Sequence, residues 1–170
     1  MNPQYSIVIP AYNESARIGG ALTEVLRTLD EKHWNAEVLV VNDGSSDNTA
    51  AIVESFAAKD SRVRLLQNGV NRGKGYSVRN GLLHARGNIL MFTDADLSSP
   101  MVEAERLFDA IRDGADVAIG SRWLQSSRQT IHQPLYRQFF GRCFNVVTRP
   151  VWKEMVDSAN GFPEDDSELE

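Results

Sequence analysis

The stretch EVLVVNDGSSDNT, Glu37 to Thr49, decides the fold. An apolar, β-branched run stops at an Asn-Asp-Gly-Ser cluster. Thr49 then opens a segment to Ala58 in which Ala50, Ile52, Val53 and Phe56 share one helical stripe. Ser46 or Asp47 is placed to cap that helix, because a short side-chain oxygen accepts a bond from an unpaired backbone N–H. A strand that passes through a polar turn straight into a helix is half of a βαβ unit. The same pattern recurs on both sides of this stretch. Strands are expected at Ser6 to Ile9, Glu37 to Val41, Val63 to Leu66, Ile89 to Phe92 and Val117 to Ile119. Ala16 to Thr28 carries Ile18, Ala21, Leu22, Val25 and Leu26 on one helical face, and fainter helical patterns cover Tyr76 to Ala85 and Met101 to Ile111. The expected fold class is α/β, with a mostly parallel Rossmann-like sheet flanked by helices.

Composition agrees with one packed domain. The 170 residues are 42% hydrophobic and 24% charged, enough to bury a core without disulfides, and the single cysteine, Cys143, excludes an internal disulfide framework. The opening MNPQYSIVIP lacks a basic segment, a long apolar run and a small-residue cleavage site, and no stretch reaches the roughly 18 apolar residues of a spanning helix. A cytoplasmic protein is expected. The net charge of -5 is a property of the end of the chain: Lys153 to Glu170 holds seven acidic residues against one lysine, and the first 152 residues are nearly balanced. Val117 to Trp152, by contrast, contains Arg122, Arg128, Arg137, Arg142 and Arg149 and no Asp or Glu. No nucleic-acid partner is expected.

Ligands of open parallel sheets sit outside the carboxyl ends of the strands, and four polar clusters fall there: Pro10 to Glu14, Asn42 to Ser46, Thr93 to Asp96 and Gly120 to Arg122. Asp94 and Asp96 are two positions apart, so on an extended chain both carboxylates point to one side. Like charges so close call for a cation or a donor, and hard oxygen ligands suit Mg²⁺ or Mn²⁺ bridging a diphosphate. The alternative is an Asx-turn or helix cap ahead of Met101. Asp43, on a glycine-permitted turn, is either an acceptor for a base N–H or part of a plain turn. Pro10-Ala11-Tyr12-Asn13-Glu14 offers an aromatic edge and a carboxylate for a ribose hydroxyl, or else a helix start with Glu in its first turn. In Asn71-Arg-Gly-Lys-Gly75, two glycines allow backbone to approach a phosphate that Lys74 would neutralise, although the spacing is not that of a P-loop. A flexible basic turn is the alternative there.

In order along the chain, SIVIPAYNE (6 to 14), VLVVNDGSSDNT (38 to 49), NRGKGYSVRNGL (71 to 82), FTDADLSSP (92 to 100) and GSR (120 to 122) closely resemble the family 2 glycosyltransferases. Within them the chain is most similar to the polyprenyl-phosphate sugar transferases, the dolichyl-phosphate β-glucosyltransferase and dolichol-phosphate mannose synthase group, over about Tyr5 to Arg149. The resemblance implies a GT-A type fold and an inverting, metal-dependent hexosyltransferase. It implies a nucleotide site at Pro10, Ala11, Tyr12, Glu14, Asp43, Lys74, Asp94 and Ala95, with Asp43 reading the base. Asp96, with Asp94, would hold Mg²⁺ or Mn²⁺, and Arg122 would contact phosphate, so Asp94, Asp96 and Arg122 form the implied catalytic set. Mannose synthases often carry Gln where this chain has Ser98, which favours UDP-glucose over GDP-mannose as the nucleoside-diphosphate sugar.

The implied acceptor is a polyprenyl phosphate, whose ionised oxygen needs no general base. Pro134 to Arg149 mixes aromatic residues with arginines and suits either peripheral contact with an anionic membrane on its cytoplasmic face or packing against the sheet. Residues 1–150 are expected to form the nucleotide-sugar-binding domain and residues 151–170 an acidic, flexible tail. The segment that usually follows Arg149 in such transferases has no counterpart, so a truncated transferase is expected. The alternatives are a nucleotide-sugar-binding module without turnover and a transferase acting on a saccharide.

Overall fold

The computed structural model describes residues 2–97 and 100–120. Four parallel strands, β1 (Tyr5–Ala11), β2 (Ala36–Asn42), β3 (Val63–Gln67) and β4 (Ile89–Phe92), form one sheet in the order β3-β2-β1-β4. The connecting helices are α1 (Ile18–Glu31), α2 (Thr49–Ala57) and α3 (Lys74–His84). After β4 a 3₁₀ turn (Met101–Glu103) leads into α4 (Ala104–Arg112).

Alternation along each strand sorts side chains to two covered faces. Ile7, Ile9, Val38 and Val40 meet Ile18, Leu22 and Val25 of α1 and Val53 of α2, whereas Val8, Leu39 and Val41 meet Leu66 and Leu82. Every residue of β2 is buried, which is why its central run, Val38 to Val41, is apolar without a break. Burying one such Leu or Ile stabilises by about 1.5–3 kcal/mol. α3 lies close on the second face because Gly81 has no Cβ; one placed there would run into Val8 and Val41. At the amino-terminal edge, Tyr5 stacks on Phe108 of α4 (ring centroids 4.3 Å) and Trp34 meets Phe108 edge-on at 5.0 Å.

At the same edge buried Glu37 accepts bonds from Ser6 Oγ (2.8 Å), Arg64 Nη1 (2.6 Å) and the Arg86 backbone N–H (2.6 Å), tying the α3–β4 turn to β1 and β2. Burial favours the neutral acid, but these donors outweigh it and hold the carboxyl below its ordinary range.

The chain winds from β1 through β2 to β3 in one direction and returns to place β4 on the other side of β1. The order reverses between β1 and β4, and the crevice of such a sheet opens beyond the carboxyl ends of the strands at that reversal. The two loops that reach it are Pro10 to Arg17 and Thr93 to Leu97.

The expected fifth strand, Val117 to Ile119, is irregular backbone. A strand exists by its ladder of hydrogen bonds, and among the described residues these three have no pairing partner; Val117 and Ile119 are 75% and 80% exposed. The helix over Met101 to Ile111 is split, its first turn being 3₁₀. Asp47 accepts the Thr49 backbone N–H (3.0 Å) at the start of α2, as expected of a capping carboxylate, although Asn48 is the residue that borders the helix. Among the described residues no helix is long and apolar enough to cross a membrane.

Candidate functional site

Two loops whose bonded residues are 32 to 35 apart in sequence are sewn together to form the site. The backbone N–H of Asn13 donates to Ser45 Oγ (3.0 Å), and Asn13 Oδ1 accepts the Ser46 N–H (2.9 Å). The Glu14 N–H donates to Thr49 Oγ1 (2.9 Å), the Ser15 N–H to Asp47 Oδ2 (3.0 Å) and the Asp43 N–H to the Ala11 carbonyl (2.9 Å). Asn13 has φ +53, a left-handed conformation that Asn tolerates better than most residues. The hydroxyl of Thr49 and the neighbouring N–H groups keep Asp47 ionised, far below the ordinary carboxylate range.

Asp43 anchors a third loop. It is 3% exposed; Oδ1 accepts Asn68 Nδ2 (2.7 Å) and the Arg72 N–H (2.9 Å), and Oδ2 accepts the Gly73 N–H (2.8 Å). Burial alone would raise its pKa, but these donors prevail and lower it. The loop 68–73 is thereby pulled against Gly44, whose φ is +72. A Cβ on Gly44 would sit 2.7 Å from Asn71 N and from the Val70 carbonyl carbon, so the turn needs glycine twice over.

These loops and the turn after β4 border a solvent-open cavity of about 420 Å³. Pro10, Ala11, Tyr12, Glu14, Asp43, Lys74, Asp94, Ala95 and Asp96, all singled out in the sequence, line it together. So do Arg17, Asn71, Gly73 and Ser77. Asn71 and Gly73 belong to the glycine-rich segment already marked; Arg17 and Ser77 were missed. Arg17 had one readable signal, its spacing three residues after Glu14, whereas Ser77 sits in a helix pattern that gives small polar residues no distinction. Arg122 and Ser98, and the segments 134–149 and 151–170, lie outside the described residues.

The ion pairs of the cavity are specific. Lys74, at the start of α3, reaches Asp94 Oδ1 at 2.6 Å, and Arg17 grips Glu14 with Nε to Oε2 (2.7 Å) and Nη2 to Oε1 (2.9 Å). Arg72 lies 4.9 Å over the Tyr76 ring. Glu14 is not in the first turn of a helix, since α1 begins at Ile18. The residue ahead of the Met101 turn is Pro100, with no side-chain cap, so the Asp94–Asp96 turn is not the cap of that helix. It is closed instead by the Leu97 N–H on the Asp94 carbonyl (3.1 Å).

Among the described residues four carboxylates, Glu14, Asp43, Asp94 and Asp96, line the cavity against two cations, Arg17 and Lys74. The wall, among the described residues, carries an excess of negative charge, which a cation arriving with a diphosphate would offset. Among the described residues no three His, Cys, Asp or Glu side chains gather into a metal cage. Two adjacent carboxylates completed by substrate phosphates and water are a usual Mg²⁺ arrangement. The donor set fits an ion shared with the ligand.

The sheet, covered on both faces and with a carboxylate-lined cavity at its switch point, is an α/β fold of the GT-A glycosyltransferase type, the fold of the glycosyltransferases of known structure that it resembles. The chain belongs to glycosyl transferase family 2, whose model matches residues 6–158. It is 37% identical over 153 residues to a dolichyl-phosphate beta-glucosyltransferase of Trichomonas vaginalis, a match covering 84% of this chain and 45% of that protein. The Saccharomyces cerevisiae dolichyl-phosphate beta-glucosyltransferase is 42% identical over 112 residues, 62% of this chain and 34% of the relative. The chain thus spans less than half the length of these relatives. Among solved structures, S. aureus TarS 1-349 in complex with UDP aligns with a TM-score of 0.50 and 25% identity, covering 74% of this chain and 43% of that 1-349 chain.

Proposed function

We propose that the cavity is the donor site of an inverting hexosyltransferase that moves a sugar from a nucleoside diphosphate to a polyprenyl phosphate, with UDP-glucose favoured over GDP-mannose. The observation that carries the reading is the convergence of three strand-end loops and the start of α3 on one carboxylate-rich cavity. The names of the similar transferases supply the acceptor class, and Ser98 supplies the preference for UDP-glucose.

Each residue has a definable task. Asp43, held ionised by donors from its own chain, accepts a base N–H and turns away bases that present a lone pair there. Tyr12 and Pro10 form the side of the nucleoside pocket, and Glu14 accepts a ribose hydroxyl. Lys74 meets phosphate oxygens, and Asp94 and Ala95 border the diphosphate. Asp96, with Asp94, would hold Mg²⁺ or Mn²⁺, which when bound neutralises the charge of the departing nucleoside diphosphate. Arg122 would contact phosphate of donor or acceptor. In the reaction the acceptor phosphate oxygen forms a bond to the anomeric carbon as the bond from that carbon to the nucleoside diphosphate breaks on the opposite face. The configuration inverts, and no proton has to be removed from an ionised phosphate. A lipid acceptor also implies peripheral contact with a membrane surface.

Incubating the protein with labelled UDP-glucose or GDP-mannose, Mn²⁺ and polyprenyl phosphate tests the reading. Label is expected in the lipid fraction. Nucleotide retained without labelled lipid would overturn the transfer step and leave the donor site standing.

A further inference from the structure

We propose that Arg17 is a positioning residue for the donor nucleotide, acting through Glu14; the inference rests on the donor-site reading above. Arg17 lines the cavity beside Glu14 and engages both of its carboxylate oxygens, Nε to Oε2 at 2.7 Å and Nη2 to Oε1 at 2.9 Å. A bidentate guanidinium–carboxylate fork fixes the plane of the carboxylate as well as its place. Each oxygen gives one lone pair to Arg17 and keeps another for a hydroxyl.

The backbone beneath the pair is held from the neighbouring loop. The Glu14 N–H is bound to Thr49 Oγ1 (2.9 Å) and the Ser15 N–H to Asp47 Oδ2 (3.0 Å), and the Arg17 N–H closes on the Glu14 carbonyl (2.9 Å). Glu14 therefore meets a ribose with its position set in advance, which lowers the ordering cost of binding.

Charge gives the pair a second purpose. Among the described residues the wall carries four carboxylates and two cations, and loss of Arg17 leaves Lys74, which is already committed to Asp94. Glu14 would then stand as an uncompensated anion near a polyanionic ligand. Neutralised by Arg17, it accepts a hydroxyl without repelling the diphosphate. A guanidinium serves this better than an ammonium because its planar fork matches the carboxylate.

Calorimetric titration of UDP and GDP, each with its 2′-deoxy and 3′-deoxy analogue and with Mn²⁺ present, tests the assignment on the intact chain. The wild type is expected to prefer the ribonucleotide over at least one analogue by roughly tenfold or more, as for a hydrogen bond to a charged group. Arg17→Ala should collapse that preference toward unity, Glu14→Ala should do the same, and the double variant should discriminate no less than Glu14→Ala. Arg17→Lys should restore part of the preference. If Arg17→Ala binds with the full ribose preference, or its loss adds to that of Glu14→Ala, the positioning role is overturned while the donor site stands. If the wild type binds neither nucleotide, both fall.

Discussion

Replacing Gly44 with Ala tests how the third loop of the site is held. The perturbation has two parts. A φ of +72 costs a residue with a Cβ about 1–2 kcal/mol. The new methyl would also lie 2.7 Å from the backbone of Asn71 and Val70, and relieving such overpacking costs about 1–3 kcal/mol. Gly69 is the internal control: its φ is +75, but a Cβ there meets nothing within 4 Å. Gly69→Ala should therefore lose the conformational part alone. The unfolded-state effect of Gly→Ala is common to both variants and cancels in their difference. In urea unfolding followed by fluorescence, with Trp34 packed against Tyr5 and Phe108 as a reporter, Gly44→Ala should be less stable than Gly69→Ala by about 1–3 kcal/mol. Because the 70–73 backbone must move, the Arg72 and Gly73 donors leave Asp43, and nucleotide affinity should fall in Gly44→Ala more than in Gly69→Ala. Equal stabilities within about 0.5 kcal/mol would refute the close approach.

Acid should destabilise the domain with a definite sign. Asp43, Glu37 and Asp60 have pKa values lowered by folding, so below their unfolded values of about 3.9–4.3 the unfolded chain binds more protons, and stability falls as pH drops from about 4.5. Urea midpoints between pH 3 and 7 measure this, and Glu37→Gln should flatten the slope. Lys74→Ala should change stability by less than about 0.5 kcal/mol, because the Lys74–Asp94 pair is 60% and 45% exposed. It should still weaken nucleotide binding several-fold, and paired unfolding and calorimetry would show whether the two effects separate.

Much of this architecture was legible because it is periodic. The apolar run of β2 and the stripes of α1 and α2 announce themselves at any distance from the rest of the chain, and each polar cluster directly follows its strand. Sheet order then brings the clusters together, since β1 lies between β2 and β4. What the sequence concealed is pairing across distance: nothing in PAYNES or NDGSSD shows that Asn13 will bind Ser46 or Asp47 will bind Ser15. Asp43 is a second instance, because its partners are Asn68 and, in a segment that reads as a phosphate-approaching loop or a flexible basic turn, Arg72 and Gly73. Val117 to Ile119 failed for the opposite reason. Composition alone suggests a strand, but a strand is defined by a neighbour, and the described residues provide none.

The central claim is that Asp94 and Asp96, with the strand-end loops of β1 and β2, form a nucleoside-diphosphate site that works with a divalent cation. Calorimetric titration of UDP and GDP in the presence and absence of Mn²⁺, on the wild type and on Asp96→Ala, tests it most directly. The account predicts binding of at least one nucleotide that strengthens with Mn²⁺, and loss of that strengthening in Asp96→Ala with the fold retained. An absence of binding with both nucleotides, or a Mn²⁺ effect that survives in Asp96→Ala, would contradict it.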